Sequence, residues 1–152
     1  MPDDWTPSRE AIAGLLALSP AKRVVTLIES LPIIGQWDRL RGPESGLIML
    51  RGRMGGGGDP FNLGEATVAR ASIALPDGRK GHGYVLGRDT RHAEMIAVVD
   101  ALVQAQDDRD LVMERVVAPL RQERSETLAA DSAAADKTKV DFFTMVRGSV
   151  PK

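Results

Sequence analysis

The sequence predicts an α+β fold, with an N-terminal helical hairpin, an antiparallel sheet of about four strands and packed C-terminal helices. Three observations predict it. Two short segments near the N-terminus carry helix-start residues and apolar residues at helical spacing. Short apolar segments separated by Gly, Pro and Asp fill the middle of the chain. A strongly apolar segment and an Ala-rich one follow. With 152 residues, the chain is long enough for one domain, which we expect to span 1–152.

The N-terminal segments predict two helices that pack as a hairpin. Thr6-Pro7 places a hydroxyl cap before a first-turn proline and predicts a helix over 8–18. Ser19-Pro20 repeats this signal for a second helix that ends at Pro32. The apolar residues of both segments form stripes typical of a core: Ile12, Leu15 and Leu16, then Val24, Leu27, Ile28 and Leu31.

The middle of the chain predicts strands over 33–40, 47–54, 66–75 and 81–86. The sequence Pro76-Asp77-Gly78-Arg79 is typical of a tight hairpin turn, since Asp-Gly readily adopts positive φ angles. Apolar and polar residues alternate before this turn, so one face of that strand is expected to be buried. Consecutive strands joined by hairpins favour an antiparallel sheet.

The C-terminal part predicts helices that cover the sheet. Asp89 is a capping residue for a helix over 90–106, whose apolar residues cover most of its circumference. The polar stretch 106–110 is expected to interrupt the helical pattern. Residues 111–120 are apolar but end at Pro119, and 121–136 are rich in alanine and charge, as in a solvated helix.

Composition excludes several functional classes. Lys plus Arg is 20 and Asp plus Glu is 21, so no chain-wide basic field favours nucleic acid or an anionic membrane. The absence of cysteine excludes disulfides, thiolate zinc sites, a cysteine nucleophile and an iron–sulfur cluster held by this chain. Two histidines cannot form a three-histidine site. The acidic N-terminus and the lack of a long apolar run indicate a cytoplasmic chain. We expect no catalytic residue, metal or cofactor in this chain.

A glycine-rich segment is the candidate phosphate-binding site. Its residues are Arg51, Arg53, Gly55, Gly56 and Gly57. Glycines let backbone N–H groups approach a phosphate, and arginines pair with its oxygens. The segment lacks the Gly-Lys-Ser/Thr ending of a P-loop and the strand–GxGxxG–helix context of a dinucleotide site. A flexible loop between strands is therefore the favoured interpretation, with phosphate binding as the alternative.

His92-Ala93-Glu94 at a helix start is typical of zinc nucleoside deaminases, but those enzymes need a downstream cysteine pair that is absent here. A packed, hydrogen-bonded His92 is the favoured interpretation.

The third candidate is the pair Phe142-Phe143, followed by Met145. Aromatics are only 4% of the chain, and aromatic residues and Met dominate binding hot spots. These residues are candidate partner-binding residues, and packing on the chain's own sheet is the alternative.

Several distinctive segments run in order from about Gly46 to Gly148: Arg53-Met54-Gly55-Gly56, Leu63-Gly64-Glu65-Ala66-Thr67 with Arg70, Gly83-Tyr84-Val85-Leu86-Gly87-Arg88-Asp89 with His92-Ala93-Glu94, Asp100-Ala101-Leu102, and Lys139-Val140-Asp141-Phe142-Phe143-Thr144-Met145-Val146-Arg147-Gly148. Together they resemble the PhnG subunit family of the bacterial carbon–phosphorus lyase system. Gly58-Asp59-Pro60 departs from the family's form.

The resemblance implies an accessory subunit of the carbon–phosphorus lyase core complex, with the H, I and J subunits as partners and two copies of each. That complex supports transfer of an organophosphonate to the ribose C1 of ATP with release of adenine, in phosphonate catabolism. The resemblance implies no activity for the chain alone. The alternative is a direct contribution to substrate phosphate binding through the glycine-rich segment.

Overall fold

The computed structural model describes residues 7–136. Their elements, in chain order, are α1 (Arg9–Ala17), α2 (Ala21–Glu29), β1 (Asp38–Arg53), β2 (Pro60–Ala74), β3 (Lys80–Leu86), α3 (Thr90–Leu102), α4 (Gln106–Val112) and α5 (Ala118–Asp136). The α+β class, the helical hairpin and the C-terminal helices are confirmed.

The helical hairpin starts with a different cap from the one predicted. Ser8 caps α1, and its Oγ accepts a hydrogen bond from the N–H of Ala11 at 3.1 Å. Pro20 precedes α2 without a side-chain cap. Ser19 does not cap α2, because its Oγ donates to the carbonyl of Leu15 at 2.7 Å. The predicted stripes are buried at Ile12, Leu16, Val24, Ile28 and Leu31.

Within residues 7–136 the sheet has three antiparallel strands in the order β1-β2-β3, where about four were predicted. The predicted strands 33–40 and 47–54 contribute to the single strand β1, which begins only at Asp38. The pairing of β1 with β2 shifts between Arg41 and Glu44, and this irregularity absorbs Gly42 and Pro43. Because β1 is an edge strand, it tolerates a proline that cannot donate to the ladder.

The hairpin between β2 and β3 is confirmed at the predicted residues. The N–H of Gly78 donates to the carbonyl of Leu75 at 2.9 Å, and the N–H of Leu75 donates to the carbonyl of Arg79 at 2.8 Å. Gly78 has a φ of 89°. A turn that ends in a left-handed glycine is a common way to close such hairpins.

Helix α3 is the centre of the core, with the sheet on one side and α1 and α2 on the other. Asp89 caps it as predicted, with Oδ1 accepting from the N–H of His92 at 2.9 Å. The helix ends at Leu102, earlier than predicted. It lies very close to β3: a Cβ on Gly83 would be 1.9 Å from the carbonyl oxygen of Ala93. Glycine is therefore required there for helix and strand to approach this closely.

The predicted break at 106–110 was wrong, because these residues lie in α4. Asp107 and Asp108 occupy its first turn, where acidic side chains stabilise the helix dipole. Pro119 does not end the helical path either. It follows a π-helical turn, Met113–Val117, in which the N–H of Ala118 donates to the carbonyl of Met113. This wider turn accommodates a proline that lacks an N–H. The predicted helix over 121–136 is confirmed within α5.

Candidate functional site

The glycine-rich segment forms the tip of the hairpin between β1 and β2. Gly55 and Gly56 have φ angles of 61° and 79° in a short 3-10 turn, Met54–Gly56. The N–H groups of Gly57 and Gly58 both donate to the carbonyl of Met54. A Cβ on Gly58 would be 2.7 Å from that carbonyl oxygen. The turn therefore uses two of its amides for its own closure and needs glycine at position 58.

The two candidate arginines lie on one face of β1, since they are two residues apart. Arg51 is opposite Asn62, and Arg53 is opposite Pro60. Nη1 of Arg53 donates to the carbonyl of Gly58 at 3.2 Å. All five candidate phosphate-binding residues thus lie at or beside one exposed tip. This placement puts two cations beside a turn with left-handed glycines, which suits an anion brought by another molecule.

Glu94 is the best-defined polar centre of the described residues. Its side chain is 2% exposed. It accepts from Nε and Nη2 of Arg39 at 2.6 and 3.1 Å, from Nε1 of Trp37 at 3.1 Å and from Nη1 of Arg91 at 3.2 Å. Arg91 also donates to Glu29 at 2.6 Å. This cluster joins the segment before β1 to α2 and α3.

The cluster sets the charge of Glu94. Burial alone would raise the pKa of Glu94, but hydrogen bonds from Arg39 and Trp37, with the charge of Arg39, hold that pKa below its ordinary value. Hydrogen bonding to Glu94 raises the pKa of Arg39. A carboxylate that accepts four hydrogen bonds from three residues has low proton affinity, so Glu94 stays charged and holds the neighbouring elements together. An open cleft of about 520 Å³ beside it is lined by Gly35, Gln36, Trp37, Asp38 and Arg39.

His92 packs in the core, as the sequence favoured. It is 3% exposed, and its Nε2 lies 3.0 Å from the carbonyl oxygen of Leu16. The other histidine, His82, is exposed on β3, with Nδ1 2.9 Å from Oγ of Ser72. Across 7–136, no cluster of three or more acidic or histidine side chains has a metal-binding arrangement.

The sheet carries a feature that sequence reasoning missed, a concentration of exposed hydrophobic side chains. Of the exposed large hydrophobic side chains in 7–136, two lie on the helical side, at Leu18 and Leu128. All the others lie on the strands or at the hairpin tip: Leu40, Leu47, Ile48, Met49, Leu50, Met54, Phe61, Leu63, Tyr84 and Leu86. A concentration of this kind marks an interaction surface. The run Leu47-Ile48-Met49-Leu50 is the signal that could have revealed it, because an unbroken apolar run predicts burial on both faces of a strand.

Much of this apolar surface belongs to a two-stranded extension that we call the arm, residues 47–67. Strand β3 pairs with β2 between Val68 and Ala74, and the N–H of Gly87 donates to the carbonyl of Thr67 at 2.9 Å. Beyond that point, and among the described residues, β1 and β2 of the arm pair with each other alone. The candidate partner-binding residues Phe142, Phe143 and Met145 lie outside the described residues.

No helix within 7–136 combines the length and apolar character needed to cross a membrane.

Comparison with known proteins adds two findings. The model of a family described as "Phosphonate metabolism protein PhnG" matches residues 7–148. The chain is also 52% identical, over 112 residues, to the "Alpha-D-ribose 1-methylphosphonate 5-triphosphate synthase subunit PhnG" of Rhizobium meliloti (strain 1021). This match covers 72% of the chain and 69% of that relative.

Proposed function

This chain belongs to the PhnG family of phosphonate metabolism proteins, and from that premise we propose that it is an accessory subunit of a ribose 1-methylphosphonate 5-triphosphate synthase complex. Such a complex transfers an organophosphonate to the ribose C1 of ATP and releases adenine. The relative from Rhizobium meliloti is named as a subunit, which supports a role within an assembly. In this proposal the partners are the H, I and J subunits, two copies of each, and this chain brings no cofactor of its own.

The observation that carries the accessory role is the distribution of exposed hydrophobic residues. They are concentrated on the sheet and its arm, while the polar cluster around Glu94 is occupied with contacts inside the chain. A chain built in this way offers a contact surface more readily than a reaction centre.

Co-expression with the H, I and J subunits tests the proposal. We expect native mass spectrometry to find this chain in one assembly with all three, at equal copy number. A chain that stays monomeric beside an assembled complex of the others would contradict it.

A second candidate function is direct binding of the substrate's phosphate groups by Arg51, Arg53 and the glycine turn. The observation that favours it is the placement of two arginines and two left-handed glycines at one exposed tip. Arg53→Ala should then weaken substrate handling by the assembled complex, by about 2–5 kcal/mol if the arginine pairs with an anion in a desolvated site.

The control is Arg115→Ala, because Arg115 is an exposed arginine on the helical side, 65% exposed, and lies far from the glycine turn in sequence. Assembly should be intact for both variants. Unchanged kinetics in the assembled Arg53→Ala complex would contradict phosphate binding by this turn, and the accessory role would then be the remaining function.

A further inference from the structure

Among the described residues, the arm has two open edges, one largely apolar face and one face of mixed character. Among the described residues, β1 and β2 pair only with each other along the arm, except that the carbonyl of Thr67 accepts from the N–H of Gly87 at 2.9 Å. The other outward-facing backbone groups of the two strands are open to a partner. The side chains of residues directly opposite one another lie on the same face of the two-stranded ribbon, so the pairing assigns each residue to one of its two faces. Leu47 and Met49 lie on one face, together with Thr67 and Glu65 opposite them and with Arg51 and Arg53 further along β1, so this face is mixed. Ile48 and Leu50 lie on the other.

The second face is extended by the ring of Phe61. An added Cβ on Gly52 would lie 3.5 Å from that ring and 4.0 Å from Cβ of Leu63, so both side chains lie on the face of Gly52. This face continues onto β3, because Val68 lies opposite both Gly46 and Leu86. The apolar surface therefore runs from β3 to the far end of the arm.

The size of this surface indicates a protein partner. At about 3.3 Å per residue, the stretch 47–53 is about 23 Å long, and its two faces with the adjoining strip of β3 offer on the order of 600 Å². A standard interface takes about 800 Å² from each partner. A two-stranded ribbon is only marginally stable in water, so the arm gains most from a partner that covers both faces.

We propose that the arm is an insertion element, enclosed on both faces by a cleft of a different subunit of the complex, and that the wall of this cleft is apolar where it meets Ile48, Leu50 and Phe61. This inference rests on the proposed function. A second copy of this chain fits less well, because a two-fold contact would bury one face against itself and leave the other exposed. The open edges let the enclosing subunit add a strand to the arm, and the glycine turn with Arg51 and Arg53 then lies deepest in that subunit.

Matched leucine variants test the inference. The arm variant combines Leu47→Glu and Leu63→Glu, one leucine from each face, which are 63% and 65% exposed. The control variant combines Leu18→Glu and Leu128→Glu on the helical side, which are 64% and 55% exposed. Each purified variant is titrated into the co-expressed H, I and J subunits, and its thermal unfolding is measured alone.

We expect the arm variant to bind at least tenfold more weakly than the wild type and the control variant to bind within twofold of it. Both should unfold as the wild type does, because these side chains lie outside the core. Equal binding by the arm variant and the wild type would overturn this inference while the proposed function stands. If the wild type itself does not bind, the proposed function fails and this inference falls with it.

Hydrogen exchange distinguishes whether the arm is covered by another subunit, by the chain's own C-terminal segment or by a second copy of the chain. The outward-facing amides of 47–53 and 60–67, which the pairing of β1 with β2 does not protect, should exchange rapidly in the isolated full-length chain and slowly in the complex. Slow exchange in the isolated chain at all concentrations would mean that the chain's own C-terminal segment covers the arm. Slow exchange that is lost on dilution would mean that a second copy covers it. Either result overturns the inference.

Discussion

The close packing of β3 against α3 supports a quantitative prediction about Gly83. A Cβ at this position would lie 1.9 Å from the carbonyl oxygen of Ala93 and 2.8 Å from the amide nitrogen of Ala97. Both atoms belong to helix backbone and cannot rotate away as a side chain can. Ordinary contact begins near 3.4 Å, so Gly83→Ala requires strand and helix to separate by about 1.5 Å, the difference between that distance and 1.9 Å.

Such a separation loosens the contact between the sheet and the central helix. Overpacking a core costs about 1–3 kcal/mol and occasionally more, and here the obstruction is rigid. We expect Gly83→Ala to lower the free energy of unfolding by about 3 kcal/mol or more, a large part of the roughly 5–15 kcal/mol typical of a domain. Urea denaturation followed by circular dichroism measures this change.

The matched control is Gly46→Ala on β1. A Cβ at Gly46 meets nothing within 4 Å, and Gly46 does not adopt a positive φ. The same chemical change should therefore leave stability unchanged or raise it by up to about 1 kcal/mol, because alanine restricts the unfolded chain. The free energies of unfolding of the Gly83→Ala and Gly46→Ala variants should differ by far more than about 0.5 kcal/mol, the usual size of a surface effect. A smaller difference would mean that the helix is not held against β3 as described.

Three further predictions follow from the site and the composition. Glu94→Gln should lower the free energy of unfolding at neutral pH by about 1.5–3 kcal/mol, the worth of hydrogen bonds to a buried charge. Because the pKa of Glu94 is lowered on folding, its contribution is present above the ordinary glutamate pKa of about 4.3 and is lost as the pH falls through the lower, folded-state value. The wild type should therefore lose more stability than the variant below about pH 4, and parallel pH profiles would contradict this. A chain that ends at Val140, and so lacks Phe142 and Phe143, should unfold cooperatively but fail to co-purify with the H, I and J subunits. An unfolded product would favour packing of the two rings on the chain's own sheet. A stable product that still assembles would exclude both interpretations. The purified chain alone should release no adenine from ATP, and steady turnover free of contaminating subunits would refute the accessory role.

The sequence predicted those features that depend on local chemistry. Capping by Asp89, the hairpin turn at Gly78 and the burial of the first two helical stripes all follow from residue types and short spacings. The composition of 121–136 likewise predicted a helix, which needs no long-range contact to be recognised.

The wrong predictions share a cause: the tertiary context outweighed the local effect of residues that usually end a strand or a helix. Gly42 and Pro43 were expected to separate two strands, but an edge position lets β1 pass through them. Pro119 was expected to end a segment, but the π-helical turn before it absorbs the proline. The acidic residues of 106–110 suggested a loop, although at a helix start they are favourable.

The candidate site was predicted only in part. Sequence order placed the two arginines beside the glycines, and the structure keeps them together at one tip. The arm as a whole was not predicted, because its open β2 edge depends on β3 being too short to pair along it. Pairing lengths of this kind are set by the whole sheet.

Strand β3 has the first part of its outer edge occupied by side chains from α3 and the residues that follow. Oδ2 of Asp100 accepts from the N–H of His82 at 2.9 Å, and Nε2 of Gln104 donates to the carbonyl of Lys80 at 2.6 Å. These groups occupy positions where a foreign strand would pair, so the sheet resists growth from that side. Growth is thereby directed to the opposite edge, where the arm lies. When a cell makes this chain in excess of its partners, the surplus copies expose this open strand edge. We expect such copies to aggregate or be degraded. The abundance of the chain would then follow that of the subunits that cover the arm.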